Sequence, residues 1–291
     1  MVTPSFQSAH FIERTIESVL AQDYPHIEYI VMDGGSNDGT LQILERYRDR
    51  LQFVSAPDDG APDAINRGFR RSRGSIFNWI GSDDLYLPGA IRAAVERFND
   101  APHAGVVYGG GVWIDEEGKE LGDYPVAQPF DAAMLARECP LCQPAAFMRR
   151  EVFEAAGLLR PELHFTFDYD LWIRLSKICR FEYLSRPLAA SRMHRANKTL
   201  GSRTAVFKEN IELLRRHFGY VPLNWVYGYL TYLRDGRDQF FDKLEHSPWT
   251  YLMSLPAGLK YNYRHPWRYW REWSGKLSAG NLRQLRKTRS E

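Results

Sequence analysis

The chain has 291 residues, 44% of them hydrophobic and 25% charged, which is room for one large domain or a domain with an appendage and is ordinary for a soluble globular protein. Its net charge of +2 hides a division: Lys and Arg outnumber Asp and Glu by 16 to 8 from Gly201 onward and trail them by 22 to 28 before it. An acidic body therefore carries a basic tail. Residues 1–20 lack a basic region followed by an apolar core, so no signal peptide is expected. The most apolar candidate span, residues 221–233, is shorter than the about 18 residues a membrane helix needs and is interrupted by Asn224 and Gly228. The three cysteines are Cys139, Cys142 and Cys179. The first two have CxxC spacing without a second pair, which argues against structural zinc and for a reducing, cytoplasmic setting.

Taken in order, residues 2–6 read as the end of a strand. A helix follows to about residue 22, with Ser8 placed to cap it and Ile12, Ile16, Val19 and Leu20 on one face. Asp23-Tyr24-Pro25 breaks it. Residues 27–32 are an apolar, β-branched run suited to a strand buried on both faces, and they end at Asp33. A helix to about residue 50 leads into a strand at 51–55, which ends at Pro57-Asp58-Asp59. The next helix, about 63–73, precedes an apolar run at 76–80 that stops at Gly81, and Asp83 and Asp84 follow at once. Pro88 then opens a helix carrying Ala90, Ile91, Ala94, Val95 and Phe98 at helical spacing.

Strands alternating with helices predict a parallel sheet with right-handed crossovers. Pro4-Ser5, Asp33, Asp58-Asp59 and Asp83-Asp84 all fall at carboxyl ends of strands, so they gather along the edge where open α/β sheets bind ligands. Any single turn aspartate is an ordinary solvated residue. Three consecutive acidic strand ends are not, because collected like charges need compensation. A hard cation or a ribose hydroxyl on the carboxylate oxygens provides it. Neither GxxxxGK[ST] nor GxGxxG spacing is present, which sets aside P-loop and dinucleotide sites.

The motifs Thr3-Pro-Ser-Phe, Glu28-Tyr-Ile-Val-Met-Asp-Gly-Gly-Ser-Asn-Asp-Gly-Thr, Asp63-Ala-Ile-Asn-Arg-Gly and Gly81-Ser-Asp-Asp-Leu-Tyr-Leu-Pro-Gly-Ala together resemble the family 2 glycosyltransferases. The resemblance runs to about residue 200. It implies a GT-A fold, a mixed and mainly parallel Rossmann-like α/β sheet flanked by helices, over residues 1–200; residues 201–291 lie outside the match and are expected to form a helical extension. It also implies a nucleotide-sugar donor, a divalent metal (Mg²⁺ or Mn²⁺) and inversion at the anomeric carbon. By position, Asp33 reads the base with Pro4 and Ser5 lining its pocket, Asp58 lies near the nucleotide, Asp83 holds the ribose and Asp84 the metal. Arg67 adds charge toward the diphosphate. Where the family often shows Asp-x-Asp, Ser82 takes the first place and leaves the metal mainly to Asp84. The family's first strand normally begins several residues before Thr3, so either the natural start lies upstream or the first strand is short.

Further along, residues 104–109 read as a strand, and 109–124 as a hairpin turning at 116–119. Gln143-Pro-Ala-Ala-Phe-Met matches the family stretch that walls the acceptor side. A helix at 151–156 precedes Phe167-Asp168-Tyr-Asp170-Leu-Trp172, whose apolar spacing places Asp168 at a helix N-terminus. An N-terminal aspartate caps helices. The resemblance makes Asp168 the general base as well, in the family's Glu-Asp-x-Asp-Leu-Trp with Phe167 in place of the glutamate. Asp170 and Trp172 are then structural or acceptor-side. Ser191-Arg-Met-His194 matches the family's closing loop and offers His194 to the metal or the leaving diphosphate.

Beyond a helix at about 203–217, residues 260–273 interleave cations with tyrosine and tryptophan. That composition suits either an anionic membrane interface or aromatics packed on the catalytic body; no nucleic-acid signature accompanies it. The reading is an enzyme that adds single sugars to a glycan or lipid-linked acceptor in cell-surface polysaccharide assembly, from the cytoplasm or the inner membrane face. The processive members' Gln-x-x-Arg-Trp is missing. A nucleotidyltransferase making an activated sugar, and an inactive membrane-surface binding protein, are the alternatives.

Overall fold

The computed structural model describes residues 1–236 and 246–276. The chain divides into two compact units, residues 1–135 with 139–197, and residues 136–138 with the chain from 198 onward.

The first unit begins with three parallel strands in the order β1 (Val2–Ser5), β2 (Ile30–Asp33) and β3 (Gln52–Ser55). Ser5, Asp33 and Ser55 stand in register, so the three carboxyl ends are level. All four residues of β2 are buried, as its apolar sequence requires. The crossovers carry α1 (Ile12–Leu20), α2 (Thr40–Arg46) and α3 (Ala61–Arg71). Ser8 does not cap α1 with its side chain. Its carbonyl accepts from Phe11 and Ile12 N–H, and its hydroxyl meets Ser82 Oγ at 2.8 Å instead. The segment after β4 (Ile76–Phe77) joins the parallel array, because Val2 N–H donates to Asn78 O and Ile80 N–H to Val2 O. Gly81 therefore lies level with the other strand ends.

From β4 the unit continues into a mixed sheet of order β4-β8-β6-β9-β5. It comprises β5 (Leu85–Tyr86), β6 (Ala104–Ile114), β8 (Ala146–Arg149) and β9 (Arg180–Arg192), with β7 (Glu120–Tyr124) hairpinned onto β6. β6 is antiparallel to β7 and β8 but parallel to β9. Helices α4 (Ala90–Asp100), α5 (Arg150–Ala155) and α6 (Phe167–Leu175) pack with it. Gly111 is required on β6: a Cβ there would lie 2.4 Å from Cys142 Sγ. An aromatic column joins the helices to the sheet, with Phe77 stacked on Phe153 and Trp79 on Trp172 at 6.0 Å.

The second unit is helical: α7 (Lys198–Gly201), α8 (Arg203–Phe218), α9 (Leu223–Asp235), α10 (Pro248–Tyr261) and α11 (Pro266–Gly275). Gly219 and Gly236, with φ of 64° and 67°, end α8 and α9 in the left-handed conformation glycine favours. Ile211, Val221, Val226, Tyr269 and Trp273 are in its core, and the buried Asn262 amide bonds both N–H and C=O of Val221. Among the described residues no helix is long and apolar enough to cross a membrane.

Candidate active site

The level strand ends put the N-terminal acids together, in two different states. Asp33 is buried and accepts four hydrogen bonds: from Gly35 N–H (3.1 Å), Ser36 N–H (3.0 Å), Ser36 Oγ (2.5 Å) and Ser55 Oγ (2.6 Å). Both oxygens are held by its own loop and by β3, so the carboxylate braces the loop at the strand ends. Beside it, Ser5 Oγ is buried with no hydrogen-bond partner among the described residues. A buried hydroxyl left without a partner calls for one, and a ligand can supply it. Asp58 accepts from Gly60 N–H (2.8 Å) and leans over Gly34, where a Cβ would meet Asp58 Oδ2 at 3.0 Å. Burial, then the nearby charges of Asp63 and Asp33, push its carboxyl above the usual range. Arg67 bonds Asp63 (2.7 Å) and Pro57 O (3.0 Å), so its guanidinium closes the turn into α3 rather than reaching over the pocket.

The second state is at Gly81. A Cβ on this glycine would lie 2.8 Å from Asp83 Oδ1 and 3.1 Å from Asp84 Oδ2, so both carboxylates fold back over the same point. Burial first and Asp83 second push Asp84 well above the ordinary carboxyl range, opposed by the Arg192 N–H and the Ser191 hydroxyl. Arg192 N–H donates to Asp84 Oδ1 at 2.8 Å. Its guanidinium donates to the carbonyls of Asp83, Asp115 and Glu116, lies 5.0 Å over the Phe11 ring, and leaves Nη2 buried without a partner. His194 Nε2 meets Asp83 Oδ2 at 3.0 Å, against the Phe11 ring. It therefore engages the carboxylate expected at the ribose, and does not stand as a further donor beside Asp84. Among the described residues no three His, Cys, Asp or Glu side chains form a group that could hold a metal. The hard oxygen pair over Gly81 still suits a cation whose other positions are filled by phosphate oxygens.

On the acceptor side, Gln143 Nε2 donates to Trp79 O (2.8 Å), tying the segment before β8 to the strand end. Asp168 lies in the first turn of α6, part-exposed, with its Oδ1 accepting from Tyr169 N–H at 2.7 Å. Asp170, read as structural or acceptor-side, and Trp172, read as acceptor-side, are fully buried. Asp170 holds Arg160 (3.1 Å) and Arg174 (2.7 Å), and Trp172 stacks on Trp79. These two residues fix α6 from beneath and do not present themselves to an acceptor. Sequence reasoning missed Tyr124. Its phenol is pushed well above its usual range by burial first, then by Cys142, Cys139, Asp168 and Asp84. Arg192 stands within the closing-loop motif but was given no role of its own.

A parallel βα half ending in acids, continued by a mixed sheet that carries an aspartate at a helix start, defines a GT-A glycosyltransferase. Residues 1–157 match the family model for Glycosyl transferase family 2, and the chain belongs to that family. It is 24% identical over 253 residues to a chondroitin synthase of Escherichia coli, which covers 84% of this chain and 36% of that one. Among solved structures, Staphylococcus aureus TarS 1–349 in complex with UDP-GlcNAc superposes with a TM-score of 0.60 at 17% identity, over 89% of this chain and 80% of that one. The mannosyltransferase PcManGT of Pyrobaculum calidifontis, in complex with GDP-Man and Mn²⁺, gives 0.58 at 18% identity, over 99% and 78%. At these identities the likeness is one of fold. The chain spans 34% and 65% of the length of the curated relatives it matches first.

Proposed function

We propose that the chain transfers a single sugar, with inversion, from a nucleotide-sugar donor to a hydroxyl of a glycan or lipid-linked acceptor. The observation that carries this reading is the pair of carboxylates folded over Gly81, one of them pushed up by burial and by its neighbour. Such a pair lowers its energy by meeting positive charge, and the strand-end position is where this fold places its donor. The nucleotide extends over the loop braced by Asp33, where Ser5 Oγ offers its unused hydrogen bond and Asp58 flanks the pocket. Asp83 takes the ribose side. Asp84, with Asp83, would hold a divalent cation, Mg²⁺ or Mn²⁺, which offsets negative charge on the departing diphosphate.

Asp168 accepts the proton of the acceptor hydroxyl. The hydroxyl oxygen bonds to the anomeric carbon from the face opposite the diphosphate. The carbon–oxygen bond to the diphosphate breaks, and the nucleoside diphosphate leaves with the bonding electrons. Asp170, Arg160, Arg174 and Trp172 keep α6, and hence Asp168, at a fixed height above the donor. Similarity to a chondroitin synthase and to a putative teichuronic acid biosynthesis glycosyltransferase of Bacillus subtilis supports an acceptor in polysaccharide assembly.

The test is release of nucleoside diphosphate from UDP- and GDP-sugars by the full chain with Mg²⁺ or Mn²⁺. Turnover of one donor class is expected, and its loss in Asp168→Asn. Folded protein that neither binds nor turns over any nucleotide sugar contradicts the proposal.

A further inference from the structure

The α10 helix carries large apolar residues on two faces. Tyr251, Leu255 and Leu259 pack, part-buried, against the core of the second unit, beside the buried Thr250, Ser254 and Gly258 at i, i+4 and i+8. The residues it exposes are large and apolar: Trp249 (68% exposed), Leu252 (53%) and Met253 (43%), at i, i+3 and i+4. An amphipathic helix that packs only on its own domain has one apolar face, turned inward, and no second stripe of this kind. Nor can α10 roll to hide its stripe, because α11 locks it. A Cβ at Gly258 would fall 1.9 Å from the Tyr269 ring, so the two helices meet at van der Waals contact through that glycine. Tyr269 O–H donates to Ser254 O (2.9 Å), Trp273 Nε1–H to Tyr251 O (3.0 Å), and Tyr251 O–H to Trp273 O. With α10 held this way, its apolar stripe is committed outward. The neighbouring α11 adds Trp267 (79% exposed) and Trp270 (49%).

Charge says what meets this face. Residues 246–276 contain Lys260, Arg264, Arg268, Arg271 and Lys276 against one acid, Glu272. Glu272 is turned inward, accepting from Tyr220 O–H and from Leu223 N–H (3.1 Å). Arg268 lies flat over the Tyr220 ring at 3.8 Å, beside the exposed tryptophans. Indole rings mixed with cations, with no outward acid among residues 246–276, complement a surface that is apolar below and anionic above.

We propose that the outward faces of α10 and α11 dock this chain on anionic lipid bilayers. The inference rests on the second unit alone and stands whether or not the donor-site reading holds. Trp249, Leu252, Trp267 and Trp270 enter the acyl boundary, and Arg264 and Arg271 meet headgroup phosphates.

The experiment is flotation of the full chain with vesicles of phosphatidylcholine, with and without phosphatidylglycerol, alongside quenching of tryptophan fluorescence by brominated lipid. Wild-type protein is expected to float with the anionic vesicles, to be quenched there, and to be released by high salt. A Leu252→Ser/Trp267→Ser variant and an Arg264→Glu/Arg271→Glu variant, each unfolding at the wild-type temperature, are each expected to bind roughly ten-fold or more weakly. Wild-type protein that stays in solution overturns the proposal, as does flotation without quenching or variants that float like wild type. A dimer in sedimentation that Leu252→Ser/Trp267→Ser dissolves also overturns it, since the face would then join two copies of this chain.

Discussion

Two strand ends of the same unit treat their carboxylates in opposite ways. At the end of β2, Asp33 has four donors and is finished as structure. Past β4, Asp83 and Asp84 share one small space over Gly81, where Asp84 takes hydrogen bonds from the Arg192 N–H and the Ser191 hydroxyl and is pushed up by burial and by Asp83. Both places are acidic ends of parallel strands, and their sequences look equally functional. The hydrogen-bond partners separate them: a carboxylate satisfied by its own loop braces a site, and a crowded pair, one member pushed up by burial and by its neighbour, is the one proposed to take a ligand. Helix α6 repeats the contrast two residues apart. Asp170 is buried between two arginines, whereas Asp168 reaches the surface.

The sharpest way to break the comparison is on α6. Asp168→Asn is expected to lower transfer by about 10²- to 10⁴-fold while leaving nucleotide binding and thermal stability near wild type, the range for loss of a general base. Initial rates and a thermal melt check both halves. Asp170→Asn is expected to do the opposite. Leaving Arg174 and Arg160 facing an amide in a buried position costs about 3 kcal/mol, read from urea unfolding, with the remaining folded protein still binding nucleotide. Gly81→Ala sharpens the contrast between strand ends: its methyl meets the side chains of Asp83 and Asp84 first, so the metal-dependent part of nucleotide binding is expected to be lost and the fold kept. Titration calorimetry with and without Mn²⁺ reads it. The smallest effect is expected for Ser36→Ala. It leaves Asp33 with three donors and costs about 1 kcal/mol of stability, with donor affinity little changed.

Much of this was legible in the sequence because it rests on period and punctuation. The alternation of apolar runs with helical spacing defined the parallel half, and the acids after β2, β3 and β4 were read at the ends where they lie. Partnership was not legible. Nothing in Asp83-Asp84 tells which carboxylate His194 chooses, and nothing in Phe167-Asp-Tyr-Asp-Leu-Trp tells that Asp170 is buried against Arg160 from the preceding loop as well as against Arg174 one turn along α6. Ser8 carried the composition of an N-cap but spends its hydroxyl on Ser82, a contact 74 residues away that local propensity cannot register. Tyr124 escaped for the same reason: it reaches the site through the β6–β7 hairpin, and its surroundings come from three other segments. In α10 the sequence spacing is clear, but only the lock with α11 tells which stripe faces out.

The most direct test of the claim at Gly81 is thermal unfolding of wild-type and Asp84→Asn protein with UDP and with GDP, each with and without Mn²⁺. A ligand that binds only the folded chain raises the midpoint by mass action. The expected result is that one nucleotide raises the wild-type midpoint, that Mn²⁺ enlarges the rise, and that Asp84→Asn abolishes the enlargement alone. A cooperative wild-type transition that no nucleotide shifts, or a Mn²⁺ increment that survives in Asp84→Asn, would contradict the assignment of this carboxylate pair to the donor.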